Sequence, residues 1–292
     1  MLALALKEEL EKQLTEIFSR QVIIGNHKSV SGGCINETIK LETNFKTFFL
    51  KINSAKKFPG MFEAEAKGLR LLAKANEIKI PSVVLFGQHD DSSFLILEWM
   101  EQEKRKKDFF IDFGRKLARL HKHTGKYFGL DHNNYIGSLP QSNQPYKNGI
   151  DFFIEQRLMK QIEFAVSNNA INNSTIEQFN KLFKKLSEII PNESPALLHG
   201  DLWSGNYMTD ENGAAALIDP AVYYGFREAD IAMTKLFGGF DSEFYYAYNE
   251  VFALENGWEA RLDILNLYPL MVHVNLFGGG YIEQVRQILR KY

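Results

Sequence analysis

The apolar pattern of this chain changes period near residue 100, and that change restricts the folds open to it. Before that point the apolar residues come in short strand-like runs. "QVIIG" ends at Gly25, "TIKLET" and "TFFLKI" flank Asn44, and "SVVLFG" and "SFLILEWM" are joined by "QHDD". The last two pairs are hairpin signals. Between them, "FPGMFEAEAKGLRLLAKAN" spaces Phe62, Leu69 and Leu72 as on one helix face, with Pro59 near its start. Residues 20–100 therefore read strand, strand, strand, helix, strand, strand: a small antiparallel sheet with one helix. An amphipathic helix over residues 7–18 precedes them. Beyond residue 100 the period is helical, in "FFIDFGRKLARLHKHT", "FFIEQRLMKQIEFAVSNN", "STIEQFNKLFKKLSEII" and three or four helices from Ser242 to Tyr292. The reading is an α+β protein of two lobes, a β-rich one over residues 1–100 and a larger, mainly helical one over 101–292. Clefts between such lobes are where small-molecule sites tend to form.

Composition narrows the class. The chain has 292 residues, 45% hydrophobic and 24% charged, with formal net charge −2. That balance suits a globular protein and lacks the basic excess of a nucleic-acid binder. The most basic run, Glu103 to Asp108, has acids at both ends and reads as a solvated loop or helix start. The single cysteine, Cys34, cannot form an internal disulfide, which points to a reducing compartment. The N-terminal apolar run has no basic leader and is short for a signal peptide. The most apolar segment, Ile264 to Ile282, is interrupted by Asn266, His273, Asn275 and three glycines, so it reads as a buried helix rather than a membrane span. A cytoplasmic protein with no membrane partner is expected.

Four elements carry chemistry. In "SGGCIN" the glycines let the backbone approach a ligand closely, although a plain hairpin turn reads equally well. Gly32, Gly33, Cys34 and Asn36 are its candidate nucleotide contacts, and no Gly-Lys-Ser/Thr follows to make it a Walker loop. Lys51 ends an apolar strand just before the helix bearing Glu63 and Glu65. In isolation it reads as a solvated strand end. Beside a helix glutamate it can present its ammonium to phosphate oxygens, and Glu65, which borders the apolar face, is the better partner. At the lobe boundary, the backbone of Glu98, Trp99 and Met100 suits an adenine edge, with a core strand end as the alternative.

Fourth, "HGDLWSGN" (His199 to Asn206) fits H-R-D-L-x-x-x-N with Gly200 in place of Arg, and "IDP" with Asp219 stands where D-F-G would. In that pattern Asp201 is the catalytic base, and Asn206 and Asp219 hold magnesium. A magnesium ion wants hard oxygen ligands and keeps several waters, so one carboxylate and one amide suffice beside phosphates. The attacking hydroxyl needs a carboxylate to orient it and take its proton. The ordered set predicts a two-lobed protein-kinase-like fold and an ATP- and Mg2+-dependent phosphotransferase. Asp219 and the "READ" at Arg227 to Asp230 are too close for a long activation loop, and no A-P-E follows. A small acceptor among the helices of the second lobe is favoured over a protein platform.

With these residues in place, the chain resembles the fructosamine kinase (ketosamine-3-kinase) family, within the aminoglycoside-phosphotransferase-like branch of the kinase superfamily. The matching pieces run from residue 31 to 282 and include "GGCIN", "MFEAEAKGL", "FGRKLARLH", "FGLDHNNYIGSLPQSN", "HGDLWSGN", "LIDPAVYYGFREADIAMTKLFGGF" and "YPLMVHVNLFGGGYI". The resemblance implies phosphorylation of ketosamines, the adducts of sugars with amines or lysine, at the 3-hydroxyl, which makes the adduct labile. It implies Asp201 as base, Asn206 and Asp219 as magnesium ligands, Lys51 as the phosphate-binding lysine and Glu65 as its partner. Asp230 would brace the catalytic loop, as would His199. Trp203 reads either as packing or as an aromatic wall for a cationic acceptor. His273 and Asn275 read as helix-packing groups. Cys34 reads as a small turn residue or as the joint of a redox-dependent dimer, and the protein otherwise as a monomer. The competing functions are a kinase for an amino alcohol or aminoglycoside, and a nucleotide-binding pseudokinase.

Overall fold

The computed structural model describes residues 2–30 and 35–292. Strands β1 (Ile24–Ser29), β2 (Glu37–Thr43), β3 (Thr47–Ser54), β4 (Val83–His89) and β5 (Ser92–Glu98) form one antiparallel sheet in the order β1-β2-β3-β5-β4. The two hairpin signals are the β2–β3 and β4–β5 connections, and Asp90 takes the left-handed conformation at the second, φ 50°. The first strand lies further along than its apolar run suggested. The amides of Val22, Ile23 and Ile24 are taken by Thr15 Oγ1, Asn44 Oδ1 and Glu11 Oε1, so the ladder continues through the polar residues to Ser29 instead.

The sheet has a helix on each face, not one helix in all. Helix α1 (Leu4–Phe18) buries Leu6, Leu10 and Leu14 against Ile39, Leu41, Phe48, Leu50, Phe94 and Ile96. Truncating a buried leucine such as Leu10 costs about 2–5 kcal/mol. Helix α2 (Met61–Ala75) covers the opposite face. Side chains alternate along a strand, so β5 sends Phe94 and Ile96 to α1 and Leu95 and Leu97 to α2. The same alternation in β3 puts Lys51 on the α2 side. The apolar core beneath α2 holds Phe62, Ala66, Leu69 and Leu72 and is continuous with the core of the helical lobe.

The chain then runs through an exposed segment, Glu101 to Lys107, which is the solvated loop the charge run suggested. The helical lobe contains α3 (Phe109–Leu120), a hairpin β6 (Asn134–Ile136) and β7 (Leu139–Gln141), α4 (Gly149–Phe152), a π-helical segment Phe153–Leu158, α5 (Met159–Ser167), α6 (Asn173–Phe183) and α7 (Leu186–Ile189). Next come β8 (Ala196–Leu198), β9 (Tyr207–Thr209), β10 (Ala215–Leu217) and β11 (Tyr223–Gly225), paired as β8–β11 and β9–β10. Helices α8 (Glu228–Leu236), α9 (Ser242–Val251), α10 (Trp258–Phe277) and α11 (Tyr281–Leu289) close the lobe. The segment from Ile264 is a largely buried stretch of α10, and among the described residues no helix is long and apolar enough to cross a membrane.

Candidate active site

Strand β8 delivers the chain to His199, Gly200 and Asp201. Its residues Ala196, Leu197 and Leu198 are buried, which fixes where the next residues emerge. Gly200 has φ +83°, and a Cβ there would sit 2.1 Å from the Ala221 carbonyl oxygen. Only glycine fits, which accounts for the missing arginine of the H-R-D pattern. Asp230, in the first turn of α8, braces the loop as expected. Its Oδ2 accepts the His199 amide at 2.8 Å and its Oδ1 the Gly200 amide at 2.9 Å. His121 Nε2 lies 3.2 Å from the same carboxylate, with its Nδ1 2.8 Å from Tyr248 Oη. Burial lowers the pKa of His199. Neutral, it donates from Nε2 to the Ile218 carbonyl at 2.9 Å and accepts the Asp201 amide at Nδ1 at 3.3 Å.

The spacing of Asn206 and Asp219 is the length of a hairpin. Tyr207 pairs with Leu217 in β9–β10, and the Ile218 amide bonds the Asn206 carbonyl at 3.1 Å, so the two residues leave the hairpin side by side. Asn206 Nδ2 donates to the Asp201 carbonyl at 2.8 Å and to Asp201 Oδ2 at 2.9 Å. Burial pushes the Asp201 carboxyl up to about 7 against the Asn206 hydrogen bond, which favours the charged form. A carboxylate that titrates near neutrality is matched to taking a proton from a hydroxyl.

From the sheet, Lys51 reaches into the same space. It is buried, with Nζ 2.7 Å from Glu65 Oε1 and 3.0 Å from Asp219 Oδ1. Burial alone would lower its pKa, but Asp219 and Glu65 outweigh that and hold it above the ordinary lysine value. Glu63 instead pairs with Lys67 at the surface. Lys51, Glu65, Asp201, Asn206 and Asp219 line one cavity of about 600 Å³. The donor set suits magnesium completed by phosphate and water: one carboxylate from Asp219 and the amide oxygen of Asn206, whose Nδ2 is already committed to Asp201.

The remaining sequence candidates are placed unevenly. Asn36 lines the cavity and accepts from Asn53 Nδ2 at 3.1 Å, whereas Gly32, Gly33 and Cys34 lie outside the described residues. Glu98 ends β5 and Trp99 and Met100 follow it, but none of the three is among the residues lining this cavity. Glu98 pairs with Lys79 at 3.4 Å, Trp99 Nε1 donates to Glu101, and Met100 is buried. Trp203 lines the cavity and is 37% exposed. Its ring lies across Gly205, where a Cβ would come within 2.4 Å of it.

Asn275 is the packing group the sequence suggested, bonding Gln161. His273 is more than that. Its Nδ1 lies 2.8 Å from the Pro269 carbonyl, yet the ring also lines the cavity, 4.7 Å from Phe237 and 5.0 Å from Tyr281. Tyr135, Phe237, Phe277 and Tyr281 also line it and were not singled out from sequence. The signal available was positional: Phe237 and Phe277 each precede a pair of glycines with positive φ.

The family description "Fructosamine kinase" matches residues 6–292. The chain belongs to the fructosamine kinase family. Its relatives in that family include an Enterococcus faecium protein named "Probable ketoamine kinase", 40% identical over 265 residues that cover 90% of this chain and 94% of that one. An Arabidopsis thaliana protein named "Protein-ribulosamine 3-kinase, chloroplastic" is 36% identical, covering 90% of this chain and 81% of the relative. Among solved structures, one named "Putative fructosamine-3-kinase" from Haemophilus somnus 129PT superposes with a TM-score of 0.88 at 32% identity, over 97% of this chain and 96% of that one. An amicoumacin kinase solved with AMP-PNP and Ca2+ shares the fold at 16% identity, with a TM-score of 0.61 over 91% of this chain and 87% of that one. The protein-kinase-like architecture of this fructosamine kinase family member is thus shared well beyond its own family.

Proposed function

We propose that this chain transfers the γ-phosphoryl group of ATP to the 3-hydroxyl of a ketosamine, a ribulose or fructose adduct of an amine or lysine. The observation that carries the reading is the convergence of Asp201, Asn206, Asp219, Lys51 and Glu65 on one cavity in a member of this family. In the transfer, the acceptor oxygen bonds the γ-phosphorus, the bond from that phosphorus to the β,γ-bridging oxygen breaks, and ADP leaves. Asp201 orients the hydroxyl and accepts its proton. Lys51, fixed by Glu65, meets phosphate oxygens. Asp219 and Asn206 would hold magnesium, which supplies positive charge against the phosphates when bound. The backbone of Glu98 to Met100 is assigned to adenine, and Gly32, Gly33, Cys34 and Asn36 to the nucleotide. Trp203 is assigned to the acceptor, where an aromatic face suits the cationic amine.

The test is Mg·ATP turnover with a ribulose-derived and a fructose-derived lysine adduct, beside kanamycin and choline. Turnover on either adduct with phosphate on the 3-hydroxyl supports the reading. Turnover on kanamycin or choline alone moves the assignment to another acceptor, and bound nucleotide without turnover on any of the four moves it to an untested acceptor or to a pseudokinase. A disulfide dimer through Cys34 is a separate proposal. Non-reducing electrophoresis after peroxide, with Cys34→Ser as control, rejects it if no dimer forms.

A further inference from the structure

The β6–β7 hairpin carries no reacting group, yet it meets three parts of the site. On its inner side, Asn134 Nδ2 donates to the Val222 carbonyl at 2.8 Å and Gln141 Nε2 to the Ala221 carbonyl at 3.1 Å, just after Asp219. Asn134 Oδ1 accepts from both Gln141 and Asn143 at 2.8 Å, and Tyr268 Oη donates to Gln141 Oε1 at 2.7 Å. Asn143 Oδ1 accepts from Arg157 Nη2 at 2.7 Å. Arg157 is fully buried, and its charge rests on aromatic faces, 3.9 Å from the Tyr223 ring centre and 4.5 Å from that of Phe152. A polar chain of this kind, buried and bonded at each link, holds its parts in one arrangement. At the tip, Gly137 has φ +58°, and a Cβ there would meet Leu276 of α10 at 3.0 Å.

On its outer side the hairpin reaches the sheet lobe. Tyr135 Oη donates to the Pro59 carbonyl at 3.0 Å, and its ring meets that of Phe58 edge-on at 6.5 Å. Pro59 leads into α2 through Gly60, which has φ +71°, and no side chain caps that helix start. Further along α2, a Cβ at Gly68 would lie 3.0 Å from Val222 Cγ2, so the helix sits directly on the segment after Asp219. The hairpin is anchored in the core through Asn134 and Gln141, and from it the Tyr135 hydroxyl meets the carbonyl that precedes α2.

We propose that Tyr135 is a positioning residue: through the Pro59 carbonyl it holds the start of α2, and so sets Glu65 where it fixes Lys51 for the nucleotide phosphates. Tyr135 lines the acceptor cavity, but the effect of changing it falls on the nucleotide. The proposal rests on the kinase reading above only for turnover, because nucleotide binding can be measured without an acceptor.

The experiment compares Tyr135→Phe and Tyr135→Ala with wild type in Mg·ADP affinity by calorimetry, in thermal melting, and in steady-state turnover of ribulosyl-lysine. The loss of one hydrogen bond in the Phe variant weakens Mg·ADP binding about threefold to tenfold with melting close to wild type. The Ala variant, which also loses the Phe58 contact, weakens it further, and both raise the KM for ATP more than that for the adduct. Mg·ADP affinity of the Phe variant within about twofold of wild type overturns the proposal, as does a change confined to the KM for the adduct. If wild type turns over no adduct while the Phe variant still binds Mg·ADP more weakly, the positioning role stands and the acceptor assignment falls.

Discussion

Lys51 and Asp219, 168 residues apart in sequence, stand 3.0 Å from each other, with Glu65 2.7 Å from the same ammonium. The lysine thus ties the sheet lobe to the segment of the helical lobe that carries Asp219. Glu65→Ala leaves Lys51 to Asp219 alone and draws it from the phosphates. A hydrogen bond to a charged group contributes about 1.5–3 kcal/mol, so kcat/KM for ATP is expected to fall roughly tenfold to a hundredfold. Initial rates against ATP concentration check this. An unchanged value would detach Glu65 from the nucleotide site.

Asp201 and Asp219 are separable by substitution. Asp201→Asn keeps the hydrogen bond from Asn206 but cannot take a proton, so turnover is expected to drop by at least ~10²-fold while nucleotide still binds. Asp219→Ala should abolish magnesium-dependent nucleotide binding. Calorimetry with Mg·ADP beside single-turnover rates distinguishes the two. A near-wild-type rate for Asp201→Asn would mean the catalytic loop is misassigned.

Asp201 also costs stability in the metal-free protein. Its carboxyl is raised from the model-peptide value of 3.8 to about 7 in the folded chain. The unfolded chain therefore loses the proton first as pH rises, and the folded state becomes progressively less favoured between those values. Above about pH 7 the whole penalty is present, and below pH 4 it is absent. In EDTA, Asp201→Asn is expected to melt higher than wild type at pH 8, with the gain shrinking by pH 5. A gain that is equal at both pH values would contradict the raised pKa.

Gly200→Ala tests the backbone of the loop. The added Cβ meets the Ala221 carbonyl at 2.1 Å in a left-handed conformation. Strain of that kind costs about 1–3 kcal/mol before the clash is counted. A lower melting temperature and loss of turnover are expected, and a stable, active variant would show that the loop adjusts freely.

The candidate catalytic loop was legible because Asp201, Asn206 and Asp219 lie within nineteen residues of one another, and Lys51 because it stands on an apolar strand just ahead of a helix glutamate. The apolar stripe of α2 ranked Glu65 over Glu63, while the burial of Lys51 went against its reading in isolation as a solvated strand end. The hairpin behind Asn206 and Asp219 accounts for their spacing. What escaped depended on contacts that no local pattern encodes. The start of β1 was misplaced because side chains of α1 and of the β2–β3 turn take the amides of its apolar run. The second helix of the sheet lobe was visible as a helix, but nothing local said which surface it covered. His273 bonds its own helix as a packing group would, and only the approach of Phe237 and Tyr281 reveals that it also faces a cavity. The β6–β7 hairpin was conspicuous as a family segment, but its contact with α2 joins residues from separate lobes.

The core under α2 belongs to both lobes: Phe62, Leu69, Leu95 and Leu97 pack in one cluster with residues from the helical lobe. The exposed run Lys104 to Lys107 is the thinnest covalent connection between them. A protease such as trypsin that cuts there severs the chain without separating its pieces. The two fragments should travel as one particle under native conditions, because parting them would expose the apolar face of α2 to water.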